Sequence, residues 1–197
     1  SEIVELFTLE AVNKAPAMFD QQKLDHVNAE YIRAMSPEEF AERVRPWMTA
    51  TDVGWPAARY DESVVVAVAP EIQQRISRLD EAPGWVAWLF VDAIDEYVEK
   101  AWTKAMVKGR AADRVLDDAI TALADDAFDD PGRLESTVMG IGDRLTAELD
   151  ARVMSQAPVR VALTGTNAGI PLWEAMTLLG RDTTVARLRA ARDRLEG

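Results

Sequence analysis

The stretch Pro158–Gly180, PVRVALTGTNAGIPLWEAMTLLG, narrows the possible folds more than any other part of the chain. An apolar run, Val159–Leu163, is broken once, by Arg160. The loop Thr164–Gly169 follows, built from residues that favour turns. Pro171 then opens a helix with Leu172, Trp173, Ala175, Met176, Leu178 and Leu179 as its apolar positions, and Gly180 stops it. This order puts a cationic side chain, a bare-backbone loop and a helix start within a dozen residues. Such a cluster can offer N–H groups and a guanidinium to an anion or a nucleic-acid base. The simpler reading of the residues alone is a buried helical hairpin whose arginine is salt-bridged.

Most of the remaining chain carries helical punctuation. Thr8 is an N-cap with Leu9 and Val12 behind it, and Asp20 caps a second segment in which Leu24, Val27, Tyr31 and Ile32 share a face. Ser36-Pro37-Glu38-Glu39 combines an N-cap, a first-turn proline and a third-position carboxylate, and it starts a helix that carries Phe40, Val44 and Trp47 inward. Ser63–Ala69, SVVVAVA, is open between a strand, favoured by its β-branched residues, and a buried helix that starts at Asp61 or Glu62 and runs into Pro70. In Glu71–Leu79, Ile72, Ile76 and Leu79 take one face, with Arg75 and Arg78 on or beside the other. The run WVAWLFV, Trp85–Val91, is apolar enough to belong to the core. Val98–Val107 is amphipathic, with Trp102 and Met106 inward. Arg110–Ala127 and the segment after Asp130-Pro131 read as long helices, the latter interrupted by Gly140 and Gly142.

Charge sets the first functional bound. The 197 residues carry a net charge of −12, which argues against a general nucleic-acid binder because phosphate neutralisation needs basic surface. The charge is uneven, however. Residues 1–130 hold 13 Lys and Arg against 26 Asp and Glu, while residues 131–197 hold 9 against 8, and all nine cations there are arginine. Arginine forks onto phosphates and stacks on bases better than lysine does. Most of Arg181–Arg194 reads as a solvated helix face.

Chemistry is sparse. No cysteine is present, which removes disulfides, thiolate zinc sites and thiol catalysis and fits a reducing cytoplasm. The single histidine, His26, lies off its helix stripe and reads as surface. Paired aspartates such as Asp117-Asp118 splay by ~100° on a helix and make a poor metal site. No glycine-rich phosphate loop, nucleophile–base pair or metal-ligand set stands out, so no catalytic and no metal residue is expected. No run approaches the ~20 apolar residues of a membrane span.

Three separated segments resemble one family in the right order. FTLEAVNKAPAMFD with KLDHVNAEYIR near the start, then VRVALTGT with PLWEAMTLLGRD, and then VARLRAAR are similar to the C-terminal, anticodon-binding region of bacterial-type glutamyl-tRNA synthetases. The resemblance implies an all-α fold, and it favours the helix for Ser63–Ala69. It implies the end of a stem-contact region at 1–37 and two helical anticodon-binding subdomains, at 38–97 and 98–197, with Asp92–Tyr97 as the linker. The H-I-G-H and K-M-S-K-S signatures of a class I ligase are absent. The chain is therefore expected not to charge tRNA alone, with ATP and Mg belonging to a catalytic domain it lacks. The expected partners are tRNA(Glu) and, if separated from it, its own catalytic half; a cytoplasmic monomer with no membrane contact is expected.

The resemblance also assigns residues. Counting back from LDEAP, Arg75 takes the place of an arginine that contacts the third anticodon base, with a salt bridge to Glu71 as the competing role. Arg160, Gly169 and Leu172, with Trp173 adjacent, take the places that contact the first two bases. The loop TNAGIPL departs from the family's more polar version, and Gly169 can offer only backbone there. A stand-alone relative that binds a protein, or has lost RNA, is the alternative that the net charge and this loop keep open.

Overall fold

The computed structural model describes residues 20–197, so the expected cap at Thr8 lies outside the described residues. Ten α-helical segments and no strand occur among them: α1 (Gln21–Ala34), α2 (Pro37–Met48), α3 (Glu62–Gln73), α4 (Ala82–Val86), α5 (Glu99–Trp102), α6 (Ala112–Ala124), α7 (Pro131–Leu149), α8 (Gln156–Thr164), α9 (Leu172–Leu179) and α10 (Arg181–Glu196). The N-caps follow the local chemistry. Asp20, Ser36, Asp61 and Asp130 each accept a backbone N–H of the first turn that follows.

The ambiguous segment at Ser63–Ala69 is helix. It continues through Pro70 as far as Gln73 rather than stopping at the proline. Val65, Val68, Ala69, Ile72 and Gln73 are buried along it, so packing overrides the β-propensity of its valines. The expected helix at Glu71–Leu79 is correspondingly cut short: Arg75 lies beyond the helix end, its N–H bonded to Ile72 O at 2.8 Å. Gln73 is a buried polar residue, and its side-chain amide donates to Ile32 O at 2.7 Å and Met35 O at 2.9 Å. It therefore ties α3 to the carbonyl end of α1.

The tryptophans divide. Trp55 and Trp88 are buried, while Trp85 and Trp102 are half-buried. Trp47, expected inward, is 39% exposed: the buried face of α2 is made by Phe40, Ala41, Val44 and Met48, which leaves Trp47 at its edge. Leu24, Val27 and Tyr31 are likewise exposed, and only Ile32 of that stripe is buried.

Buried apolar residues form two clusters. One gathers α1–α4 with Trp55 and Phe90, and Trp55 stacks on Phe90 with ring centroids 5.3 Å apart. The other gathers α5–α10. Helix α9 wedges between them, giving Ile170 just before it and Ala175 to the first cluster, and Leu172, Trp173 and Met176 to the second. The loop before it is held at Gly165. Its φ of +74° suits glycine, a Cβ there would lie 2.8 Å from Glu96 O, and its own carbonyl accepts Val98 N at 2.8 Å.

One charged side chain is buried between these parts. Arg187, 2% exposed, sits on the inner stripe of α10 with Thr184, Val185, Leu188 and Ala191. Its Nη1 donates to Leu163 O at 2.7 Å, its Nη2 to Trp88 O at 2.8 Å and to Val91 O, and its Nε to Asp92 O at 3.3 Å. Burial pushes the guanidinium down to about 10, which leaves it charged at neutral pH with its donor fork intact. Arg187→Met keeps the stem but strips four carbonyls of their donor. We expect a loss of roughly 3 kcal/mol or more in urea denaturation, because an orphaned buried acceptor costs about 1–3 kcal/mol. A loss below about 1 kcal/mol would mean that these carbonyls are satisfied without the arginine.

Candidate nucleic-acid interface

A cleft of about 450 Å³ opens where the turn after α3, the end of α4, the beginning of α8 and the α8–α9 loop approach one another. Arg75, Trp85, Arg160, Asn167 and Gly169 line it together with Met154, and no carboxylate does. In a chain of net charge −12, the cleft brings two arginines together, of which only Arg75 is paired with an acid among the described ion pairs.

Arg75 reaches the cleft from the turn that ends α3. Its guanidinium lies 5.9 Å from the centroid of the Trp85 ring, a cation–π geometry. It is also held by Glu71, one turn back: Nη1 lies 2.7 Å from Oε2 and is bonded to the Glu71 carbonyl as well. The side chain remains 31% exposed, so this ion pair is solvated.

Arg160 enters from α8, where Val159, Val161, Ala162 and Leu163 around it are buried. It is half-buried and has no carboxylate partner among the described ion pairs. Its Nη1 donates to Ile170 O at 3.0 Å, and burial alone lowers its pKa. One carbonyl uses one of five N–H donors, which leaves the rest of the fork available to a ligand.

The loop between α8 and α9 is shaped by its own hydroxyls. Thr164 Oγ1 lies 2.9 Å from Arg160 O and accepts Thr166 N at 3.2 Å, and Thr166 Oγ1 accepts Ala168 N at 3.4 Å. Gly169 rests against Arg160: a Cβ built there would lie 3.6 Å from Nη1. The backbone thus approaches the guanidinium without a side chain between them.

Of the residues singled out in the sequence, the fold brings Arg75, Arg160 and Gly169 to one cleft. Leu172 and Trp173 go elsewhere: at 1% and 8% exposure, both side chains pack in the second hydrophobic cluster. Two members of the cleft are new. Trp85, which the apolar run assigned to the core, is half-buried and forms part of the wall, and Asn167 is exposed in the loop. The expected turn at Pro83-Gly84 is instead part of helix α4, which buries Ala82 and Val86 and leaves Trp85 half-buried. An aromatic face beside arginine forks suits an unstacked base. Among the described residues, no helix is long and apolar enough to cross a membrane and no His, Cys, Asp or Glu group could hold a metal ion.

A family model described as an anticodon binding domain matches residues 39–192. The chain is 43% identical over its whole length to a glutamate–tRNA ligase of Thermobifida fusca and 41% identical over 99% of its length to one of Frankia casuarinae. It spans about two-fifths of the length of these relatives, 40% in each case. In fold it is similar to a glutamate–tRNA ligase structure from Elizabethkingia meningosepticum, with a TM-score of 0.77 at 18% identity, covering 98% of this chain and 36% of that one.

The two cleft arginines should matter little to stability. Losing the exposed Arg75–Glu71 pair should cost at most ~1 kcal/mol, and leaving Ile170 O to find another partner about 1 kcal/mol. Thermal melts of Arg75→Gln and Arg160→Ala should therefore stay close to the parent. A drop as large as that expected for Arg187→Met would make them structural instead.

Proposed function

The chain belongs to the anticodon-binding domain family, and from that premise we propose that it recognises the anticodon of tRNA(Glu) as the C-terminal part of a glutamate–tRNA ligase. The observation that carries this reading is the convergence of Arg75, Arg160 and the bare backbone at Gly169 on a cleft free of lining carboxylates. Single-stranded RNA is read through splayed bases that stack on aromatic rings and bond along their edges. The Trp85 ring supplies the stacking face and Arg75 the fork for the third base. Arg160, with the N–H and C=O groups around Gly169, serves the first two. Leu172 and Trp173 act from beneath, by fixing the start of α9 and so the end of the loop.

In this proposal residues 38–97 and 98–197 are the two anticodon-binding subdomains, and 1–37 is the end of a stem-contact region. ATP, Mg and the chemical step are assigned to the remainder of the ligase, so the chain alone should give no glutamate-charged tRNA in an aminoacylation assay. It would act as a cytoplasmic monomer, paired with its catalytic half where the two are separate chains.

Fluorescence anisotropy with labelled tRNA(Glu) and anticodon variants tests the assignment. Arg75→Gln should weaken binding by about 1–3 kcal/mol and relax preference at the third anticodon base. Arg160→Ala should weaken it by a similar amount and lose preference at the first two. Unchanged affinity in both variants would overturn the residue assignment, and no binding by the parent at low salt would overturn the function.

A further inference from the structure

A second cavity, of about 500 Å³, shares Met154, Ala157 and Asn167 with the cleft as a common wall. Its far side carries Lys104, Lys108, Arg110 and Arg152, and no carboxylate lines it. All four cations are exposed, and none takes part in an ion pair among the described residues. Elsewhere Arg45, Arg114, Arg144 and Arg192 are each paired with an acid, and the cations that lack a pair there, such as Lys23 and Arg189, line neither cavity.

The backbone builds this cluster. Helix α5 widens into a π-turn at Thr103–Val107, and Lys104 and Lys108 lie four residues apart along it. Gly109 then lets the chain double back tightly: a Cβ there would overlap the Ala105 carbonyl. Arg110 follows at once. Arg152 comes from the other side, between the left-handed cap of α7 at Asp150 and Val153, whose N–H is held by Thr146 Oγ1 at 2.9 Å. Four like charges so placed repel one another, and none of the described ion pairs ties them to an acid. An anionic ligand would offset that repulsion.

We propose that this cavity holds phosphodiester groups of the RNA strand whose bases occupy the adjoining cleft. The proposal rests on the anticodon-reading function and extends it to residues that the resemblance does not assign. It divides labour between the two spaces: the cleft with Trp85, Arg75 and Arg160 reads bases, while the Lys104–Arg152 cavity fixes the backbone and carries no sequence information. It also explains how a chain of net charge −12 could bind a polyanion, since the four cations of this cavity have no acidic partner among the described ion pairs.

The test compares the parent with Lys104→Gln/Lys108→Gln and Arg110→Gln/Arg152→Gln, by anisotropy with labelled tRNA(Glu) and an unrelated tRNA over a range of KCl concentrations. For single strands the slope of log affinity against log salt is about 0.7 per phosphate neutralised. Each double variant should therefore flatten the slope by up to about 1.4 and weaken both RNAs by the same factor, with anticodon preference and melting temperature unchanged. A parent-like slope and affinity in both variants would overturn the proposal while leaving anticodon reading intact. Loss of anticodon preference in the parent, with the slope effect present, would overturn the reading and leave the phosphate site. Displacement of the RNA by inorganic phosphate, at matched ionic strength and only when Lys104 and Lys108 are present, would assign the cavity to a small free anion instead. RNA binding absent in the parent would overturn both.

Discussion

The Arg187 guanidinium is the constraint on which the rest depends. Its acceptors come from two places far apart in sequence: Trp88, Val91 and Asp92, just after α4, and Leu163, near the carbonyl end of α8. Helix ends leave carbonyls without intrahelical partners, and their partial negative charge favours a cation. Arg187 meets that need for α8 and for the turn after α4 with one planar fork. Both acceptor sets sit next to cleft-forming segments, since Trp85 precedes one and the α8–α9 loop follows the other. The relative placement of Arg75 and Arg160 is thus set by a third arginine that touches neither.

Charge is sorted by the same logic across the molecule. The acidic excess is not a uniform field, because many acids are consumed locally: Asp117 by Arg192, Asp118 by Arg144, Glu148 by Arg114 and Arg144. Arg194 is spent differently, stacked 4.9 Å from the Tyr97 centroid and 5.0 Å from that of Trp102. Five cations outside those pairs, Arg160, Lys104, Lys108, Arg110 and Arg152, line the two adjoining cavities that share Asn167. A whole-chain charge of −12 therefore says little about what those cavities attract.

The helical fold was legible in the sequence wherever a cap stood next to a periodic run, as at Ser36-Pro37 and Asp130-Pro131. It was less legible where packing outvoted propensity, as in the valines of α3 and at Pro70, which the helix passes through. Arg75, Arg160 and Gly169 were singled out by the family resemblance, and the fold brings the three to one cleft. Leu172 and Trp173 show the limit of that method: spacing cannot tell which face of α9 meets a ligand and which meets the core. Arg187 was read as one more solvated arginine. Its place among Thr184, Leu188 and Ala191, at three- and four-residue spacing, was the available signal that it points inward. The four-cation cavity was hidden because its members are separated by α6 and α7, and only tertiary contact assembles them.

In the proposed anticodon-reading role, the Arg75–Glu71 pair sets how the cleft would discriminate. In the free protein Glu71 occupies Nη1 of the guanidinium while Nη2 and Nε take no partner among the described residues, so a base that engages Arg75 through Nη1 must displace a carboxylate. That exchange is favourable only if the new contact outweighs the old one. An exposed pair at this spacing is worth about 0.3–0.5 kcal/mol, whereas a well-placed bidentate contact to a base edge is worth about 1–3 kcal/mol. A base whose edge matches the fork can therefore break the pair, while one that offers a single poor acceptor gains almost nothing by doing so. Glu71 would then sharpen selectivity by holding Arg75 back from weak ligands, beside a Trp85 ring whose centroid lies 5.9 Å from the guanidinium.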